Sequence, residues 1–293
     1  MIASDAARPG QACRAWIEAT RGRVFKTGVA FSGTVIATTA SRGGGLFVTC
    51  RHCASGGDVE VTDPESTPPP VLQIGDPQHF YFAHRVYAPT PPKTAFDEQG
   101  NLAHILPRDD IAVAAVSNKL YQLRGQIGVL PPAAVKDGAI ALEDPRHIAA
   151  SAEPWAPAPP PNTQVLLLGY PRDLPDREFR GSLVASVGAI VDDATARDRL
   201  AHAEADEASV PYDPEVEFVV QARAVSGMSG GGVFDANGRF IGVMVRGATK
   251  QVDRTYFTRV VRASFIHTQL RAALEHADTT LRDRIAPFLP PQF

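Results

Sequence analysis

Nowhere in the 293 residues is there an apolar run of the roughly 18 positions needed to span a bilayer, so no membrane helix is expected. The opening stretch, Met1 to Trp16, has neither a basic cluster nor an apolar block behind it and does not read as an export signal. No Lys/Arg block stands out and the formal net charge is only −3, which argues against nucleic acid or an anionic membrane as principal partner. Cysteine is scarce: there are three, an odd number, and Cys50 and Cys53 lie three positions apart. That is no disulfide framework, and a reducing, cytoplasmic setting is the expectation. Internal repeats and interleaved β-α-β patterns are also missing, which excludes a doubly wound sheet.

What is present is an ordinary globular balance, 44% hydrophobic and 21% charged. Short β-branched and aromatic runs, punctuated by Gly, Pro and Asn/Asp, extend from Val24 to Val261. Runs this short suit antiparallel sandwiches or barrels. Asn237-Gly238, between Val233-Phe234 and Phe240-Ile241, predicts a hairpin with a two-residue type I′ turn. Three proline-rich stretches interrupt the pattern, and the third, Pro154 to Pro161, divides it near the middle. It reads either as a stiff spacer between two lobes or as a surface loop of one domain. From Asp192 to Glu217 nine acids face two arginines, the pattern of a solvated loop or short helix, with an acidic rim that steers substrate as the alternative. After Ser264, a candidate N-cap, the spacing of Ile266, Leu270, Leu274, Ala277, Leu281 and Ile285 predicts an amphipathic helix ended by Pro287. A second short helix is predicted over Gln11 to Thr20.

The segment Ser226 to Phe234 carries the most chemistry. A serine, Ser229, flanked by Gly227 and by Gly230-Gly231, can occupy a turn that a chain bearing Cβ atoms resists. Such a turn can aim several backbone N–H groups at one point, as a developing oxyanion requires. Gly-x-Ser-x-Gly also marks the nucleophile elbow of α/β-hydrolases, but an elbow runs into a helix and its acid and histidine follow the serine. Here a hairpin follows, and the candidate partners precede. His52 ends the apolar run Leu46 to Thr49, and a neutral imidazole can take the serine proton and return it to a leaving amine. Asp110 stands at the mouth of the apolar run Ile111 to Val116, where a carboxylate can fix the imidazole tautomer and stabilise its protonated form.

Thr49-Cys-Arg-His52, then Asp110-Ile-Ala-Val, then Gly227-Met-Ser-Gly-Gly resembles the trypsin-like serine peptidase superfamily. Together with Leu168-Gly-Tyr-Pro171 and Ile241-Gly-Val, the likeness is closer to the bacterial HtrA-like branch than to secreted digestive enzymes. The resemblance implies an all-β fold of two six-stranded antiparallel barrels with the site between them, followed by the C-terminal helix. It divides the chain into a lead segment 1–22, a first barrel 23–150, a Pro-rich linker 151–161, a second barrel 162–262 and a helical tail 263–293. It implies a triad of His52, Asp110 and Ser229, with Asp109 the competitor for the acid, and an oxyanion hole from the N–H groups of Gly227 and Ser229. Val245, Arg246 and Gly247 become the edge that pairs with substrate backbone. Arg223 either approaches the primary specificity pocket, where it opposes basic side chains, or faces solvent if the loop register differs.

The departures from the family pattern carry expectations of their own. With only distant Cys13 upstream, the histidine-loop disulfide of secreted relatives is expected to be absent. No PDZ-like module is expected in the roughly thirty residues after Arg262. Met228 stands where zymogen-type relatives place an acid, so competence without proteolytic maturation is expected. Cys50-Arg-His-Cys53 resembles a metal knuckle, but no second Cys/His pair lies at usable spacing; neither metal nor cofactor is expected. The remaining histidines carry no assignment. The sequence thus predicts cofactor-free hydrolysis of protein or peptide substrates through an acyl-enzyme. Two alternatives stand beside it, an inert module gripping extended peptides and an esterase on the same fold.

Overall fold

The computed structural model describes residues 16, 20, 23–27, 31–36, 44–54, 71–75, 79–89, 105–123, 139–141, 151, 153–172, 183–203, 208–247 and 251–289. The helix predicted over Gln11 to Thr20 lies outside these except for Trp16 and Thr20, both helical.

The short apolar runs form strands, all paired antiparallel. In the first half these are β1 (Val24–Thr27), β2 (Phe31–Ile36), β3 (Gly45–Thr49), β4 (Val71–Gly75), β5 (His79–Tyr87), β6 (Ala112–Leu123) and β7 (Ala139–Ala141). They make one sheet in the order β3-β2-β1-β4-β5-β6-β7, with β3 also paired to β6. The second half holds β8 (Gln164–Gly169), β9 (Val184–Ile190), β10 (Glu217–Gln221), β11 (Gly232–Phe234), β12 (Phe240–Gly247) and β13 (Thr258–Arg262). These close into a six-stranded barrel, β10-β13-β12-β11-β8-β9.

Register in the first sheet already points at the site. β3 and β6 run antiparallel with Gly45 opposite Val116 and Thr49 opposite Ala112. The chain just beyond Thr49 and the chain just before Ala112 therefore leave the sheet at the same end. All five β3 residues and Ile111 to Ala114 are buried, and each large side chain so buried contributes about 1.5–3 kcal/mol. This apolar pair of strands is the fixed frame for what its polar ends carry.

In the barrel, Val165 to Leu168 are fully buried. An ion pair lies inside: Arg259 on β13 donates to both oxygens of Glu217 on β10, at 2.8 and 2.6 Å, and to the carbonyls of Val210 and Pro211. Glu217 belongs to the acidic segment expected to be solvated; it is buried because a guanidinium meets it. Within that segment Asp193–Ala201 form the short helix expected, α2, whose N-cap Asp192 accepts from Thr195 N–H at 2.8 Å.

The β11–β12 hairpin forms, but not through a type I′ turn. Asn237 keeps a negative φ and only Gly238 is positive, at +73°. The carboxylate of Asp235 instead collects the N–H groups of Asn237 and Arg239, which closes a longer loop. Pro154 to Ala156 pack against β12, with Ala156 N–H donating to Phe240 and Phe240 N–H to Pro154. Trp155 donates its indole N–H to the Phe288 carbonyl at 3.0 Å.

The C-terminal helix begins earlier than Ser264 and is broken. α3 (Ala263–Glu275) starts directly from β13, its N-cap Arg262 still paired with Gly242 in the ladder. It stops at His276, and α4 (Thr279–Ile285) restarts on Asp278, which caps Leu281 N–H at 2.7 Å. An unrecognised cap interrupts the periodicity; Ile266, Leu270, Leu274 and Ile285 are nevertheless buried.

Candidate active site

The residue that leaves β3 enters a single helical turn, α1 (Arg51–Ala54), which presents His52. The residue that enters β6 leaves a 3₁₀ turn over Pro107–Asp109, where Asp110 N–H donates to Pro107 at 3.2 Å. The two meet as the register requires. Asp110 Oδ2 accepts from His52 Nδ1 at 2.7 Å, and Oδ1 accepts the His52 backbone N–H at 2.9 Å. The acid beside the histidine is Asp110, not Asp109. The Asp110 side chain is 1% exposed and that of His52 30%, so the carboxylate is sealed while the ring stays reachable.

Burial disfavours a charged imidazole here, but the negative charge and hydrogen bond of Asp110 outweigh it, with Arg246 opposing them. The His52 pKa is raised above its ordinary value as a result. Burial has the opposite effect on Asp109, whose pKa it raises against the pull of Arg108 and Arg51.

The expectation of no disulfide at the histidine loop is overturned. Cys50 and Cys53 are bonded to each other, their Cα atoms 5.3 Å apart. The helical turn supplies the reason, because it carries Cys53 back to within bridging distance of Cys50, the residue just before it, and no upstream cysteine is needed. Cys50 Sγ stands 3.6 Å from His52 Nε2. The sulfurs and the ring lie within 4.8 Å of one another, the spacing of a metal knuckle, but here both sulfurs are spent on each other.

The Ser229 turn is built by glycines and held from the other sheet. Gly227 has φ +93°, and a Cβ there would come within 2.3 Å of Arg172 N. Gly230 has φ +82°, and a Cβ would meet the Ser32 carbonyl oxygen at 2.1 Å. Neither position accepts a side chain. Met228 N–H donates to Val225, Gly231 N–H to Met228, and Gly230 N–H to Met244. The N–H groups of Gly227 and Ser229 donate to no acceptor among the described residues. Met228 is fully buried in an apolar cluster with Val165, Leu167 and Val233.

Ser32 on β2, which carried no signal in the sequence, clamps this turn. Its N–H donates to the Ser229 carbonyl at 3.2 Å and its hydroxyl to the Gly227 carbonyl at 2.8 Å. The same hydroxyl accepts Tyr170 N–H at 2.7 Å. The Ser32 carbonyl in turn accepts from Thr49 Oγ1 at 2.8 Å, three residues before His52. The strand end that leads to His52 and the turn that carries Ser229 are thus tied to one residue. No hydrogen bond joins His52 Nε2 to Ser229 Oγ, as is common before substrate tightens a site.

The substrate-edge candidates lie beside this turn. Val245 is buried, and Arg246 donates to the Ile105 carbonyl at 3.3 Å. The β11 ladder ends at Val243, while β13 continues alongside to Gly247, opposite Thr258. Arg223 is exposed, its guanidinium 4.7 Å above the Tyr256 ring.

A closed antiparallel barrel beside a second antiparallel sheet is the arrangement of the trypsin-like fold. The scabies mite inactivated protease paralogue S-D1 shares it, with a TM-score of 0.52 at 13% identity over 87% of this chain and 93% of that one. Rv3671c from M. tuberculosis H37Rv gives 0.48 at 19% identity in a mutant, inactive form, over 91% of this chain and 94% of that one. Its active form gives 0.49 at 17% over 90% and 86%. No curated protein sequence matches. Residues 27–243 match the trypsin-like peptidase domain, and the chain belongs to that family.

Proposed function

We propose that the chain is a serine endopeptidase in which Ser229 is the nucleophile, His52 the general base and Asp110 the residue that orients the histidine. The observation that carries this is the pair of hydrogen bonds from His52 to one buried carboxylate, at 2.7 and 2.9 Å, beside a serine turn clamped to the same frame. With Nδ1–H held by Asp110, Nε2 is the unprotonated nitrogen and can take the Ser229 proton as Oγ attacks the peptide carbonyl. The N–H groups of Gly227 and Ser229 then face the developing oxyanion. The imidazolium returns its proton to the leaving amine, and water repeats the sequence on the acyl-enzyme. No cofactor enters this scheme. The first sheet is read as the first of the two barrels that the resemblance implies, since the β3–β6 pairing returns it on itself. The Leu168 to Pro171 and Gly227 to Gly231 motifs favour the HtrA-like branch. Met228, buried among apolar side chains, favours competence without a cut N-terminus.

Labelling by an alkyl fluorophosphonate tests the reading: wild type labels at Ser229, while Ser229→Ala and His52→Ala do not. A casein digest against a short-chain ester then separates peptidase from esterase. The inert alternative draws on one observation, the contact of His52 Nε2 with Cys50 Sγ in place of Ser229; an unlabelled wild type supports it. The disulfide removes the cysteine argument for a reducing compartment. Among the described residues no helix is long and apolar enough to cross a membrane.

A further inference from the structure

Arg223 lies six residues before Ser229, on a segment tied down at both ends. The Ala222 carbonyl accepts from Thr258 Oγ1 at 2.9 Å, and the Ser226 carbonyl accepts Arg172 N–H at 2.8 Å. Between these anchors Ala224 faces the end of β12 so closely that a Cβ on Gly247 would meet it at 3.2 Å. Gly247 in turn sits opposite Thr258, two residues after Tyr256. Three short pieces of backbone, at 222–226, 245–247 and 256–258, therefore converge beside the nucleophile turn. Arg223 and Tyr256 are the side chains they bring together.

The guanidinium rests over the Tyr256 ring with 4.7 Å to the centroid. That contact is with the ring and not with an oxygen, so the guanidinium keeps its N–H donors. No described carboxylate or carbonyl takes those donors. Several arginines differ: Arg108 meets Asp213, Arg199 meets Asp253, Arg239 meets Asp235 and Arg259 meets Glu217. A stacked guanidinium has lost much of its rotational freedom before a ligand arrives, and its fork of donors matches a carboxylate in two parallel hydrogen bonds. Arg246, on the facing piece of β12, adds a second cation near enough to His52 to oppose its protonation.

We propose that Arg223, oriented by Tyr256, selects peptide substrates carrying an Asp or Glu side chain on the acyl side of the scissile bond. This rests on the reading of Ser229 as nucleophile. A peptide lying along Val245–Gly247 with its carbonyl carbon at Ser229 directs the side chain of that residue between the 222–226 and 245–247 pieces. A carboxylate there finds two donors; a Lys or Arg finds a like charge; an amide of the same shape finds hydrogen bonds without the charge.

The test is one peptide sequence varied only at that residue, as Glu, Asp, Gln, Asn, Leu and Lys, with cleavage read as kcat/KM. Wild type is expected to prefer Glu over Gln by about tenfold or more, the scale of a charge-assisted contact. Arg223→Ala collapses the Glu/Gln ratio toward one, and Arg223→Glu moves the preference to Lys. Tyr256→Leu lowers the ratio without abolishing it. Lys cut as well as Glu by wild type, or a Glu/Gln ratio indifferent to Arg223→Ala, overturns the proposal. Fluorophosphonate labelling of Ser229 and fluorescence-anisotropy binding of the same peptides to Ser229→Ala separate it from the peptidase reading. Glu-selective binding by a chain that never labels leaves the Arg223 assignment standing and removes the peptidase. Labelling with equal affinity for the Glu, Gln and Lys peptides does the reverse.

Discussion

Asp110 gives both of its carboxylate oxygens to a single residue, one to the ring and one to the backbone N–H of His52. This fixes the tautomer and the position of the ring together, so removing the charge disturbs both. Asp110→Asn is expected to lower kcat by several orders of magnitude, on the scale of roughly 10⁴ seen when a triad acid is neutralised. Asp109→Asn is expected to change it less than tenfold, because Asp109 makes no contact with the ring. A larger loss for Asp109→Asn would reassign the acid. Ser229→Ala, His52→Ala and the double variant should lose similar factors, since the members act as a unit.

The pH profile follows from the raised His52 pKa. Hydrolysis needs the neutral ring, so kcat/KM should fall on the acid side with an inflection above the ordinary histidine value. Arg246→Leu removes an opposing charge and should move the inflection further up; Asp110→Asn should move it down. For stability the sign is opposite to that for activity. A folded pKa above the unfolded one contributes stability that is fully present below the unfolded pKa and is lost as pH rises through the folded one. NMR titration of the His52 ring, paired with urea unfolding across that window, checks both.

Reducing the Cys50–Cys53 bond should cost more in activity than in stability. The loop it closes is so short that chain entropy limits the stabilisation to about 2 kcal/mol. A Cys50 thiol 3.6 Å from Nε2, by contrast, can donate to the nitrogen that must accept the Ser229 proton. Ser229 labelling should slow on reduction and recover on reoxidation, while Cys50→Ala with Cys53→Ala should label regardless of reductant. Equal labelling of reduced and oxidised wild type would show that the neighbouring sulfur is without effect.

Glu217→Ala should be among the most damaging changes far from the site. It leaves the Arg259 guanidinium, 1% exposed, without its carboxylate, at an expected cost of roughly 3–5 kcal/mol. Glu217→Ala with Arg259→Met should recover much of that loss in a urea melt. A single variant as stable as wild type would mean that water reaches the cation.

The parts legible in the sequence were those whose physics is local. Apolar runs became strands, and a glycine-flanked serine needed a turn of positive φ. The order of His52, Asp110 and Ser229 pointed to the family, and the pairing of Thr49 with Ala112 explains why the first two meet. The rest depended on relations the chain does not display. Cys50 and Cys53 bond because one helical turn intervenes, which a search for an upstream partner overlooks. Asp278 breaks the terminal helix by capping, which periodicity of apolar positions does not register. Asp235 accepts the N–H groups of Asn237 and Arg239 and closes a longer loop, which the Asn237-Gly238 pair alone does not reveal. Ser32 looks like any small strand residue until the second half of the chain is laid against it.

That last relationship bears on how the protein could be taken apart. The carbonyls of Ser229 and Gly227, on the turn of one half, accept from a serine of the other. A fragment ending after Ala141 and a fragment beginning at Ser151 would each lack one side of this joint. Neither alone could hold the turn in shape, however well its own strands paired. Mixed together, they would regain reactivity at Ser229 only as fast as they bound. Complementation between the two pieces, with fluorophosphonate as the signal, would then measure the affinity of one half for the other.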